Sequence, residues 1–478
     1  MAIEIGSFTP AYLPQSSPLW GPLRAAHLDG EVVRFIGTAI VLIGIWLLAD
    51  GWFRLRQANL RPTEPWAILA IWAVPLLFGP PIFSHDAYSY AAQGWMIHNG
   101  LNPYNGGPGL LPGAFADQVA WVWRYTPAPY GPLSLQLSHG LVDLSGFRPT
   151  LAAELMRLPA LVGVGLIVAC LPRLARRVGA EPTRVAWFAC LNPFLVIDYI
   201  GGAHNDALMM GLIVLALWTA SHRDTWVLRL GPHARPAAVR AAGAANLVVA
   251  AALVGVAAAV KPPAFLAALA LPFMAGPAPR RGAPGAAKAV AAAAAVLGLA
   301  VAVFAAVTWL TGLGYGWLNA LGVPGSVTTV SPTSVIGSAI QQLLDPGNRH
   351  YIVAVQSIGT VVAFALVGLF FALLGRRQPL RALALSYLVV AVLGPALHSW
   401  YVLWGALLLP LALPRGRHLP RVAVAVIVVL LSYAAIILAW RNGAWALGVA
   451  AALLLTWFAV QHEVDNHRQT QTGEGGLP

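Results

Sequence analysis

Residues 351–374 read YIVAVQSIGTVVAFALVGLFFALL, and Gly375-Arg376-Arg377 follow at once. No charge interrupts this run, and a helix needs about 20 apolar residues to cross the hydrocarbon layer of a bilayer. An uncharged apolar stretch closed by two arginines is a membrane span with a basic anchor on one side. The same signature recurs outward from this segment in both directions. We read about thirteen spans, at roughly 32–53, 66–83, 150–172, 184–200, 205–221, 243–260, 263–276, 287–311, 351–374, 380–397, 400–414, 421–440 and 443–461. The seventh and eleventh are short, and each follows a polar break, at Lys261-Pro262-Pro263 and His398-Ser399. Tight outer turns or interrupted helices are expected there. Alternating strands of about ten residues are absent, which argues against a β-barrel. The fold class is an all-α polytopic membrane protein.

Composition agrees. Of 478 residues, 58% are hydrophobic and only 10% charged, where a soluble domain carries roughly 25% charged residues. No basic start followed by a short apolar core opens the chain, so the first span is expected to act as its own insertion signal. Cys170 and Cys190 both lie inside apolar runs without paired spacing, which argues against a disulfide framework and a cysteine-ligated metal. The net charge of +12 could suggest nucleic acid, but its distribution follows topology instead. Connections on one side hold 20 basic residues, among them Arg54, Arg56 and Arg61, Arg223 and Arg229, Arg280 and Arg281, and Arg415 and Arg417. Those on the other hold 5: Arg124, Arg148, Lys261, Arg349 and Arg441. The richer side is cytoplasmic by the positive-inside rule. The protein is therefore expected in the plasma (inner) membrane, with residues 1–31 outside, a transmembrane domain over 32–461, and a cytoplasmic tail over 462–478.

Both long connections, 84–149 and 312–350, then fall outside. Loops of this length that are rich in turn residues and aromatics are usually functional. The less ordinary polar residues collect on the same face. Asp86 follows the second span, and His204-Asn205-Asp206 fills the turn between the fourth and fifth. Lys261 ends the sixth, His398-Ser399-Trp400-Tyr401 precedes the eleventh, and Arg441-Asn442 lies between the last two.

Each has an ordinary reading beside a chemical one. Asp86 could cap a helix or act as a general base, since a carboxylate is ionised at neutral pH. Nothing near Lys261 in the sequence neutralises it, so it either snorkels to the headgroups or holds a phosphate. Asn205 or Asp206 could cap a helix, and two ligands from one turn make a weak metal site. His398, Trp400 and Tyr401 could be interfacial anchors. The loop aromatics could belong to a belt or stack on sugar faces. No glycine-rich phosphate loop or metalloprotease motif sits in a supporting context.

Ser84-His85-Asp86-Ala87-Tyr88-Ser89-Tyr90-Ala91-Ala92-Gln93-Gly94, followed by Gly100-Leu101-Asn102-Pro103-Tyr104 and Gly107-Pro108, resembles the first external loop of one enzyme family. The match continues in order through Thr126–Pro132, Gly201–Leu208, Lys261-Pro262-Pro263, Pro324–Val327 with Ser331-Pro332-Thr333, and His398–Tyr401. The family is the polyprenol-phosphomannose-dependent α-1,6-mannosyltransferases of actinobacteria, in the GT-C glycosyltransferase superfamily, of the type that elongates lipomannan and lipoarabinomannan cores. Many relatives are expected to carry a basic residue before the loop aspartate, where this chain has His85.

The resemblance implies a GT-C-type bundle with a large extracytoplasmic first loop. It implies a donor of polyprenyl-phosphate mannose and a lipid-anchored mannan acceptor; from the residues themselves no cofactor or metal is expected, because no compact carboxylate cluster accompanies Asp86 and Lys261 can assist the leaving phosphate. Carried over, Asp86 is the base, and Lys261 holds the leaving phosphate. We add His398 and Arg441 as helpers. His85, Tyr88, His204, Asn205, Asp206, Trp121, Arg124, Tyr130, Trp400 and Tyr401 are the expected pocket and substrate contacts. The rival readings are a lipid transporter or flippase, a GT-C enzyme of α-1,2-mannosyl or arabinosyl linkage, and an assembly subunit. Transporters favour midplane ionisable groups and broken-helix repeats, whereas the polar groups here lie at outer ends.

Overall fold

The computed structural model describes residues 1–14, 17–222, 235–274, 283–320, 322–326, 329–412, 419 and 421–472. Arg223, Arg229, Arg280, Arg281, Arg415, Arg417, Val327 and the last residues of the tail lie outside them. Every regular element among the described residues is helical. Among the described residues, seven helices are long and apolar enough to span a bilayer: Glu31–Gln57, Pro149–Val178, Ala237–Val260, Ala287–Thr311, His350–Leu374, Arg421–Trp440 and Trp445–Asp465. The chain is a multi-pass membrane protein.

The expected fourth and fifth spans are not two plain helices. Leu195–Gly201 and Asp206–Ala220 form a pair bent by 113°, an eighth span if taken as one. Wide π-helical turns occupy Ala186–Cys190 and Leu195–Gly201. Pro193 interrupts the ladder between them, because it lacks an N–H to donate. Four more apolar helices are shorter: Glu64–Leu77, Pro262–Phe273, Pro379–Leu393 and Ser399–Ala412. The second expected span thus ends six residues early, at Leu77 rather than 83. The expected breaks at the seventh and eleventh are present. Lys261 is extended (φ −154°, ψ 125°) and Pro262–Leu269 winds as a tight 3-10 helix. His398 is likewise extended before Ser399–Ala406.

The first long connection is folded. Helices Asp86–His98 and Pro132–Leu144 pack closely, since a Cβ on Gly94 would lie 2.5 Å from the Ser138 carbonyl oxygen. Pro132 opens its helix at the one turn where a missing N–H costs nothing. Asn102-Pro103-Tyr104 and the segment to Pro129 wrap over this pair, tied by Tyr104 Oη donating to the Tyr130 carbonyl at 2.8 Å. Asn102 Nδ2 donates to the Leu313 carbonyl at 2.9 Å, fastening the first connection to the second.

A buried arginine that the sequence reading left unremarked holds the floor. Arg157 is 2% exposed. It donates to the carbonyls of Gly79 (2.7 Å), Ile200 (3.2 Å) and Gly201 (3.5 Å). A guanidinium offers five donors in a fixed fork, so one side chain pins the strand entering Asp86 to the end of the π-helical segment.

Candidate functional site

The ends of several of these helices meet around one cavity of about 370 Å³. His85, Asp86, Tyr130, Lys261, His398, Trp400, Tyr401 and Arg441 line it, from five separate parts of the chain. The grouping expected from orientation alone is therefore present in space.

Asp86 is the first residue of its helix, and His85 precedes it without a side-chain cap bond. The capping reading fails, because the carboxylate turns inward. Its Oδ2 lies 3.4 Å from His204 Nδ1 and accepts from Tyr90 Oη at 3.5 Å, while the Asp86 N–H donates to Ser84 Oγ at 3.1 Å. Burial pushes this carboxyl up, but the contact with His204, reinforced by the Lys261 charge, outweighs it and holds the group at about 2. It is ionised throughout the physiological range. His204 is fully buried, and its ring stacks on Trp400 at 3.9 Å. Trp400 stacks in turn on His398 at 4.3 Å. Burial pushes His398 down to about 4, so it stands neutral beside the indole.

Two strained residues set these groups in place. Phe83 (φ 77°) precedes the Ser84–Asp86 turn and Ala203 (φ 54°) precedes His204. Left-handed backbone at a side chain with a Cβ costs about 1–3 kcal/mol and persists only where the surroundings over-determine it. Gly202 leaves the required room, since a Cβ there would meet the Asp198 carbonyl oxygen at 2.8 Å and the His204 ring at 3.0 Å.

Lys261 overturns one expectation. It is buried and paired, not snorkelling and not unneutralised. Its Nζ donates to Asp206 Oδ2 at 2.8 Å and Oδ1 at 3.0 Å, and it lies 4.6 Å from the Tyr401 ring centroid. Asp206 Oδ1 also accepts from Trp404 Nε1 at 2.7 Å. The pairing was invisible because 55 residues separate the partners. Arg441, by contrast, is exposed and has no carboxylate within ion-pair distance among the described residues.

The remaining sequence candidates lie elsewhere. Asp206 and His204 stand behind the wall, acting on Lys261 and Asp86. Asn205 caps nothing; its Nδ2 donates to Ser134 Oγ at 3.0 Å. Tyr88 is buried away from the cavity, its Oη donating to the Pro81 carbonyl at 3.3 Å. Trp121 is 84% exposed and does not line the cavity. Arg124 sits 3.8 Å from Asp117 on the loop surface.

Among the polar lining residues that sequence reasoning missed, Ser89, Gln93 and Asp198 stand out. Each keeps a buried oxygen without a protein partner. The signal for two of them was present, since Asp86, Ser89 and Gln93 recur at i, i+3 and i+7 and so share one helix face. Leu430, Tyr433, Ala434, Ile437, Leu438 and Arg441 form a second such stripe, apolar except at its end.

The comparisons with known proteins agree with one another. Residues 1–278 match the family model described as alpha-(1->6)-mannopyranosyltransferase, N-terminal domain. Residues 328–461 match the MptB C-terminal domain. A Mycolicibacterium smegmatis relative is 35% identical over 398 residues, covering 78% of this chain and 69% of that one. An alpha-(1->6)-mannopyranosyltransferase of Mycobacterium tuberculosis is 32% identical, with 78% and 69% covered. Alpha-(1->6)-mannopyranosyltransferase A of the same organism is 32% identical over 443 residues, with 89% and 80% covered. With most of its length matched by one family model and its C-terminal third by the companion model, the chain belongs to the alpha-(1->6)-mannopyranosyltransferase family of glycosyltransferases.

Proposed function

We propose that this mannosyltransferase takes mannose from polyprenyl-phosphate mannose and forms an α-1,6 bond to a lipid-anchored mannan, with inversion, on the extracytoplasmic side of the plasma membrane. The observation that carries the reading is the pairing, in one cavity, of an ionised carboxylate with an unpaired cation. Asp86 is the carboxylate and Arg441 the cation. A lipid-phosphate donor asks for those two groups and an apolar path. The stripe Leu430–Leu438 leading to Arg441 supplies the path, with the prenyl chain along it and the phosphate against the guanidinium. The short apolar helices complete a GT-C-type bundle of about thirteen spans in this reading.

The acceptor hydroxyl oxygen attacks the anomeric carbon, that carbon's bond to the phosphate oxygen breaks, and its electron pair leaves with the phosphate. The hydroxyl proton passes to Asp86. A carboxyl held near 2 is a weak base, but the hydroxyl becomes strongly acidic once its bond to the anomeric carbon is well advanced. Proton transfer then comes late, and phosphate departs without an acid. No cofactor is needed at the reacting centre. Ser89, Gln93 and Asp198 present the unpaired oxygens that meet sugar hydroxyls, and His204 orients the base.

The test is transfer in membranes supplied with labelled polyprenyl-phosphate mannose, comparing wild type, Asp86→Asn and Arg441→Gln at matched abundance. Loss of a positioned base costs about 10²–10⁴-fold, so Asp86→Asn is expected to lose that much turnover at unchanged donor KM. Arg441→Gln is expected to raise the donor KM. Equal turnover in wild type and Asp86→Asn removes the base assignment, and no wild-type transfer from this donor removes the donor.

A further inference from the structure

We propose that the external end of the Asp86–His98 helix carries a divalent transition-metal site, built from His98, His139 and Asp143, that clips this helix to Pro132–Leu144. Among the described residues these three form a group whose ligand atoms all lie within 4.8 Å of one another. His98 Nδ1 is 2.9 Å from Asp143 Oδ1, and His139 Nε2 is 3.6 Å from Asp143 Oδ2. Ligands at zinc bond lengths of about 2.0–2.1 Å stand ~3.3 Å apart in a tetrahedron; the two histidines stand on either side of that value, each from a different Asp143 oxygen. Two imidazoles and a carboxylate are borderline donors suited to zinc or cobalt and unsuited to calcium or magnesium. A fourth position is left for water.

The support around the rings is what a metal site requires. His139 Nδ1 donates to Gln136 Oε1 at 3.2 Å, so the proton sits on that nitrogen and Nε2 keeps its lone pair toward Asp143. Outer partners of this kind fix the tautomer in metal-ligating histidines. His98 is stacked on Trp95 (5.2 Å between centroids) and abuts Phe147 at 4.4 Å. Phe147 is itself held at φ 61°, a strained conformation spent on closing this corner. The ligands come from two helices that already touch at Gly94 and Ser138. Twelve residues at about 1.5 Å each place the site ~18 Å from Asp86 along the helix, too far to take part in transfer. Its effect is to fix the helix that presents the base.

Tag-free full-length protein in micelles, stripped with chelator, is titrated with Co²⁺ and followed by its visible absorption and by thermal midpoint. The expected result is one Co²⁺ per chain, displaced by Zn²⁺, with a raised midpoint, and the same in Asp86→Asn. His139→Gln and Asp143→Asn are expected to weaken binding at least ~100-fold, and Gln136→Ala about 10-fold, the usual cost of an outer partner. A wild-type chain that binds no Co²⁺ overturns the proposal whether or not the variants fold, and so does binding that survives in both ligand variants.

Discussion

Replacing Asp206 by asparagine removes a charge and almost no volume, and it is expected to destabilise the protein far more than a surface change would. Asp206 is fully buried and the Lys261 side chain is 9% exposed. The asparagine carbonyl still accepts from Trp404 Nε1, so the change isolates the ion pair. An orphaned buried charge costs about 3–5 kcal/mol. The rings of Tyr401, Tyr130 and Trp404 stay around Nζ, with centroids at 4.6, 5.8 and 5.7 Å, and keep part of its stabilisation, so the lower end, ~3 kcal/mol, applies. At about 2 °C per kcal/mol for a large domain, the thermal midpoint falls by ~6 °C. Cys170 and Cys190 are free and buried, so a thiol-reactive fluorogenic dye reports unfolding directly. The double variant Asp206→Asn/Lys261→Met removes the orphan as well, and buried pairs replaced by apolar groups are often neutral. Its midpoint is expected within ~2 °C of wild type. A single variant that loses less than ~1 °C, or a double variant as unstable as the single, refutes the reasoning.

Two further outcomes follow from the same geometry. A carboxyl whose folded pKa is depressed keeps its charge as pH falls until the folded value is reached, here about 2. Transfer is therefore expected to show no acid limb from Asp86 between about pH 8 and 5, and a tenfold decline in Asp86-dependent kcat/KM centred near pH 6 counts against it. Gly131→Ala places a Cβ 2.2 Å from the Ala259 carbonyl oxygen, where the Gly131 N–H donates to the Val260 carbonyl at 3.0 Å. Overpacking costs about 1–3 kcal/mol, so the dye midpoint is expected to drop by several degrees, with reduced transfer as Tyr130 moves away from Lys261.

Much of this was legible in the sequence. Long apolar runs closed by arginines give away spans because the bilayer offers the backbone no other partner. The broken stretches announced themselves through Pro262-Pro263 and His398-Ser399. The bent pair at Leu195–Gly201 and Asp206–Ala220 did not, since a π-helical turn has no local composition of its own and Arg157, which pins it, looked like one more span residue. Among the cavity-lining residues, Asp86, Lys261, His398 and Arg441 were legible because each interrupts an apolar pattern at the end of a span. Trp121 and Tyr88 were grouped with them by residue type, and type cannot say which face of a loop a ring takes. Ser89 and Gln93 needed only a helical count from Asp86.

Lys261 and Arg441 show where reading charges one at a time fails. Both are cations at helix ends, and the more buried one looks the better anion anchor, because desolvation strengthens its field. Burial is also what demands a partner. A lysine inside the bundle is tolerated only when something neutralises it, and Asp206 does so with both oxygens. A phosphate approaching Lys261 meets a pair of nearly zero net charge, with two of its three donors already engaged by a carboxylate. Arg441 sits at the rim, where water bears the cost of keeping it unpaired, so its full charge remains available to an incoming anion. The buried pair then sets the shape of the floor and the orientation of Tyr401 and Trp404, and in the proposed reaction the exposed arginine is left to attract the phosphate. In the proposed reaction the strongest pull on the donor therefore comes from the cation that is least buried.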